Sequence, residues 1–346
     1  MTKARFLGHY TIAAFALVLS GQSLAADKVT LGHSGTVSEA LYFIAAAHGY
    51  YKNEGLDVTH IYFDSAAKEI PLLATGELDV GSGPVSAGLF NAAARGIKIK
   101  IVGNRLAARP DDRSLLFLVR KDLIDVGRVK SYADLRGLKI ALVAKGIGTA
   151  SVLNEAAKRG GISYADVEKV YLPFPLQAAA FQNRAIDGAF SAEPFVKDLI
   201  GAGVAAPLGT WGDIYPDFQV GVMLFSEKFA KERRQVGERL LRALLRASRD
   251  YQDVLDHGRF SSGAKADEIV RIIAEGTSMK EHLVRTISLP AIDLDRPVNL
   301  EALQKDLSFF KAEGDIPDAT LTADQLVELS MLNQALKSLG PRERTK

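Results

Sequence analysis

Lys139-Ile140-Ala141-Leu142-Val143-Ala144-Lys145-Gly146-Ile147-Gly148-Thr149-Ala150-Ser151 begins as an apolar strand, turns on two glycines and enters a helix that Gly160 closes. An earlier stretch repeats this pattern. Val29-Thr30-Leu31 reads as a strand, His33-Ser34-Gly35-Thr36-Val37-Ser38 as a turn, and Glu39 to His48 as a helix closed by Gly49. A second pair keeps nearly the same offset: Leu73-Ala74-Thr75-Gly76-Glu77-Leu78-Asp79-Val80 leads to Gly83-Pro84, and Ala180-Phe181-Gln182-Asn183-Arg184-Ala185-Ile186-Asp187-Gly188 leads to Glu193-Pro194. An offset of about 110 residues is too long for a solenoid repeat and suits a duplicated lobe. The expectation is two α/β lobes, each a mostly parallel sheet flanked by helices.

Further apolar strands are expected at Ile97 to Val102, Ser114 to Val119, Val170 to Leu172 and Val220 to Phe225. The last third reads as helical, with Leu240, Leu241, Leu244, Leu245, Tyr251, Val254 and Leu255 at helical spacing. Arg239, Arg242, Arg246 and Arg249 share that segment and are expected on a solvated face.

The 346 residues begin with Lys3 and Arg5, an apolar run from Thr11 to Leu19, and Gly21-Gln22-Ser23-Leu24-Ala25. That order is expected of a cleavable secretory leader over residues 1–25. Two of the 43 Lys and Arg residues lie in it and none of the 41 Asp and Glu, so the mature chain is electrically balanced. Balance gives no electrostatic case for a nucleic-acid partner. The chain has no cysteine, which removes disulfides, thiolate chemistry and a lipid-attachment site after the leader. A soluble extracytoplasmic monomer is expected.

Three turns share one physical character: Ser34-Gly35-Thr36, Gly83-Pro84-Val85-Ser86 and Gly146-Ile147-Gly148-Thr149-Ala150-Ser151 each link a strand to a helix start. Small hydroxyl residues cap free helix N–H groups, and helix N-termini favour anions. Ligands of open α/β sheets lie beyond the strand ends, where such turns sit. The expected contacts are Ser34, Gly35, Thr36, Gly83, Val85, Ser86, Gly148, Thr149 and Ser151, on a small organic anion. Phe63, Phe190, Trp211 and Tyr215 are candidate walls. Gly146-x-Gly148 is an incomplete dinucleotide signature, with Ser151 where a third glycine belongs. His33, His48, His60, His257 and His282 lack metal spacing, and no Gly-x-Ser-x-Gly elbow occurs. Neither a metal nor a cofactor is expected. Asp111-Asp112 with Arg109 and Arg113 reads as a solvated, ion-paired loop.

Gly49-Tyr50-Tyr51-Lys52-Asn53-Glu54-Gly55-Leu56-Asp57-Val58 resembles the first-lobe signature of the nitrate/sulfonate/taurine/thiamine-precursor family of ABC-importer binding proteins. Gly76 to Gly81, Leu135 to Ala141, Ala192-Glu193-Pro194-Phe195 and the tail from Asn299 to Ile316 resemble it too. The resemblance implies a two-lobed periplasmic binding protein fold of the second type, crossed twice by the chain. The crossings are expected near Val119-Arg120 and Val220-Gly221, giving lobe 1 over 26–119 and 221–346 and lobe 2 over 120–220. It also implies a ligand between the lobes, contacted by the turns and by Glu193, and delivery to an ABC permease in the inner membrane. A pyrimidine or aromatic ligand is the alternative. An enzyme on the same scaffold would need an acid–base pair, for which Glu193 with His33 is the one nomination. Asn183-Arg184-Ala185 departs from the family's usual glycine before Ile186-Asp187, and the cysteine-rich motif of a pyrimidine-synthesising relative is missing.

Overall fold

The computed structural model describes residues 25–342 apart from Asp111, so the expected leader up to Leu24 lies outside the described residues. Four strands come first: β1 (Asp27–His33), β2 (Leu56–Tyr62), β3 (Val80–Pro84) and β4 (Ile99–Ala107). Five more form a separate sheet: β5 (Leu115–Arg120), β6 (Lys139–Leu142), β7 (Glu168–Tyr171), β8 (Gly188–Ala192) and β9 (Ala205–Thr210). The chain then returns with β10 (Gln219–Ser226) to the first sheet.

The two sheets have the same plan. In β2-β1-β3-β10-β4, β10 runs antiparallel to both neighbours; in β7-β6-β8-β5-β9, β5 does so. The other pairings, β1 with β2 and β3 and β6 with β7 and β8, are parallel. Each sheet is therefore mixed: four strands share a direction and one is reversed. The reversed strand is in each case the first that the chain lays down after passing between lobes. Leu115 to Val119 is buried throughout, as a strand covered on both faces must be.

The second passage falls just before β10, near the expected Val220. The first lies between Ala107 and Leu115, ahead of the expected Val119-Arg120, because β5 already pairs with β8 and β9. Apolarity marks an extended segment and says nothing of which sheet takes it.

The first lobe's core rests on the Arg234–Asp253 helix, whose Leu240, Leu244 and Tyr251 are fully buried. Burial of each such leucine contributes about 1.5–3 kcal/mol. The arginines of that helix are not simply solvated. Arg242 and Arg246 pair with Glu54, Arg239 with Asp27 and Arg249 with Asp295, which ties the helix to its own lobe. In the second lobe, Phe117 of β5 stacks on Phe190 of β8 with ring centroids 4.4 Å apart.

The lobes are in contact. Ala87 N donates to Gly146 O at 2.8 Å and Gly148 N to Val85 O at 3.2 Å, on either side of a bridge between Ser86 and Ile147. A strap after residue 286 runs across the second lobe's face. Ser288 N donates to Glu193, Ala291 N to Asp112, and Lys197 Nζ to Thr286 Oγ1.

Candidate functional site

Between the lobes lies a cavity of about 400 Å³. Both lobes and the strap line it. Among the described residues, two of its side chains are ionisable, Arg105 and Glu193.

Arg105 owes its position to a break in register. Gly221 pairs with Leu106 and Val222 with Asn104, so Arg105 is the extra residue of a bulge in β4. Bulges re-aim side chains, and this one points a guanidinium toward the cavity. Gly221 leaves it room: a Cβ there would stand 2.3 Å from Arg105 Nη2. Arg105 Nη1 donates to Ser38 Oγ, while its Nε is buried with no partner. Sequence reasoning missed this residue. Its signal was an arginine set, with Lys100 and Asn104, in a stretch from Ile99 to Ala107 that is otherwise without polar side chains.

Of the three turns, the first reaches the cavity through Gly35 and Thr36. Its amides are already occupied. Glu39, 2% exposed, accepts from Ser34 N and Thr36 N, from both their hydroxyls, and from Ser82 Oγ at 2.8 Å. Gly35 N donates to His33 Nδ1. A carboxylate of the chain thus fills the place expected for an external anion, and Ser34 serves Glu39. The capping box of Thr36 and Glu39 is present.

The other two turns face each other. Ser86 Oγ accepts from Leu89 N as a helix cap, Val85 is buried with its carbonyl on Gly148 N, and Gly83 is paired inside β3; none of the three lines the cavity. From the second lobe, Gly148 and Thr149 do line it. Thr149 is 4% exposed and its hydroxyl has no partner. Ser151, one half-turn on, faces instead a second cavity that it shares with Asp306 and Tyr215. Half a helix turn thus separates a hydroxyl on the interlobe cavity from one on the second cavity.

Glu193 lines the cavity, but both its oxygens accept backbone N–H groups, from Ser288 and Lys197. Burial raises its pKa and those two bonds oppose the rise. Trp211 is a wall as expected, and its indole N–H is buried without a partner. Phe190 belongs to the second lobe's core, Phe63 packs within the first lobe, and Tyr215 lies on the second cavity. The aromatic walls that the sequence did not single out are Phe174, Phe195 and Phe218.

His33 is buried edge-on against Phe43, 5.3 Å away, and does not line the cavity. Its nominated pairing with Glu193 is therefore absent. Burial lowers the pKa of His33, and that of His60 to about 4. Asp112 is buried as well, accepting from Ser114 and from Ala291 of the strap, so it is no solvated ion pair; Asp111 lies outside the described residues. Among the described residues no group of three or more His, Cys, Asp or Glu could hold a metal ion.

A model of the NMT1-like family matches residues 23–264, well over half of the chain. The chain belongs to the NMT1-like family. Within reach of this member is the taurine-binding periplasmic protein of Escherichia coli (strain K12), 26% identical over 307 residues, which covers 84% of this chain and 88% of that protein. The periplasmic aliphatic sulphonate binding protein SsuA of Escherichia coli superposes with a TM-score of 0.69 at 18% identity, covering 87% of this chain and 92% of its own. The desulfurization enzyme DSZB shares the fold at a TM-score of 0.59 and 16% identity, covering 91% of this chain and 100% of its own. Binding proteins and an enzyme thus share this fold.

Proposed function

We propose that this chain is the periplasmic solute-binding component of an ABC importer, which captures a small organic anion between its lobes and presents the closed form to a permease. Arg105 carries the reading. Among the described residues it is the sole cationic side chain lining the interlobe cavity, and its Nε has no hydrogen-bond partner. A half-buried guanidinium with an unpartnered Nε donor is complementary to a sulfonate or carboxylate. The curated relative and the sulphonate-binding neighbour support the same class. Among the described residues, Arg105 and Glu193 are the ionisable side chains on the cavity, a set that suits holding an anion better than acid–base chemistry.

Charge-assisted hydrogen bonds contribute about 1.5–3 kcal/mol each. Arg105→Gln is therefore expected to weaken anion binding roughly ten- to hundredfold, measured by titration calorimetry on the mature chain with a panel of sulfonates and carboxylates. Wild-type protein should also melt at a higher temperature when its ligand is present. Equal affinity of the variant and wild type, or binding confined to neutral compounds, would overturn the reading.

A further inference from the structure

The cavity's hydrogen-bonding balance is one-sided. Its unpartnered buried polar atoms are Arg105 Nε, Trp211 Nε1 and Thr149 Oγ1. The first two can only donate, and the third can donate or accept. On the acceptor side, the one carboxylate in the wall among the described residues, Glu193, already accepts a backbone N–H on each oxygen. Apart from Thr36, Ser38 and Ser114, the other described side chains of the wall are apolar. Phe174 and Phe195 lie near-parallel with centroids 5.8 Å apart, each at the start of a second-lobe helix. Trp211 and Phe218 form another tilted pair at 6.4 Å, and Met279 comes from the facing lobe.

Resting on the anion reading above, we infer that the ligand is a monoanion with an uncharged aromatic body, its head on Arg105 and its ring against Phe174, Phe195 and Trp211. A second, positive charge is selected against. An ammonium group in this cavity would lose its hydration and find, among the described residues, only the Glu193 carboxylate, each of whose oxygens already accepts a backbone N–H, which offsets that loss poorly. An aromatic ring instead fills an apolar space of the size such sites use and gains offset-stacked or edge contacts. This specificity differs from the one named for the taurine-binding relative, because taurine carries an ammonium as well as a sulfonate.

The test is calorimetric titration of the mature chain with benzenesulfonate, benzoate, methanesulfonate and taurine. Benzenesulfonate or benzoate is expected to bind at least tenfold more tightly than methanesulfonate, and taurine more weakly than either aromatic by a larger factor. Phe174→Ala and Phe195→Ala, both at half-buried positions, should erode the aromatic preference while leaving methanesulfonate affinity within about twofold. Taurine binding as tightly as benzenesulfonate, or variants that weaken all four anions alike, would overturn the inference and leave the anion reading standing. Binding of uracil with none of the four anions bound would overturn the anion reading itself, and this inference with it.

Discussion

At the scale of single residues, the site turns on which hydroxyls and amides the protein has kept for itself. The sequence placed capable groups at three turns, and those turns do meet between the lobes. It could not show that Glu39 would occupy the first turn, because a capping-box glutamate and a ligand compete for the same N–H groups and only geometry says which is present. Nor could it separate Thr149 from Ser151. Two residues apart on a helix, they point about 200° from one another, one toward the main cavity and one toward Asp306. Their variants should therefore part company. Thr149→Ala is expected to weaken anion binding by about tenfold, since a hydrogen bond to a charged group is lost. Ser151→Ala should leave affinity unchanged and alter stability alone. Calorimetric affinities and apo melting temperatures of the two variants give the comparison; an equal loss of affinity in both would show that the assignment of faces is wrong.

At the scale of elements, strand positions were legible and strand directions were not. The apolar runs near Ile97–Val102, Ser114–Val119 and Val220–Phe225 all became strands. Periodicity reports an extended, buried segment, whereas the reversal of β5 and β10 depends on which strands already wait on the other side. The bulge in β4 was equally hidden, since one extra residue in a ladder has no composition of its own. Its consequence is testable through the partner strand. Gly221→Ala puts a methyl group where the Arg105 guanidinium lies, and a flexible side-chain end can give way there at little cost. The strand should tolerate the change, with stability within about 1 kcal/mol of wild type. Arg105 cannot keep its place, so anion affinity should fall nearly as far as in Arg105→Gln. Denaturant unfolding together with calorimetry would check both halves. Unchanged affinity would mean that the bulge does not position the ligand-binding arginine.

At the scale of the whole molecule, the duplicated plan was readable from the internal echo and the double crossing was implied by the family resemblance, but the place of the first crossing and the C-terminal segment's part in joining the lobes were not. The Leu300–Ala312 helix packs in the first lobe and also reaches the second, where Lys305 pairs with Glu155 and the Tyr215 hydroxyl donates to Ala302 O. Asp306 is fully buried at this seam with neither oxygen partnered. Burial pushes its pKa up to about 8; the nearby hydroxyls of Ser151 and Tyr215 and the charge of Lys305 pull it down, and Glu155 pushes it up. An acid whose pKa is higher folded than unfolded binds more protons in the native state, so it makes the protein less stable as pH rises between the two values. For Asp306 that window runs from about pH 4 to about pH 8. Glu69, raised to about 7 by burial, acts in the same direction, so the pH profile of the wild type alone would not isolate Asp306. Asp112, Glu193 and Asp293 are raised by burial too, and Asp306→Asn removes one acid of this group and keeps the shape. The melting temperature of the variant minus that of wild type, followed across pH, should rise steadily through the window and level off above pH 8. A difference that is flat from pH 5 to 8, or that falls, would show that Asp306 is ionised in the native protein and that the seam accommodates its charge.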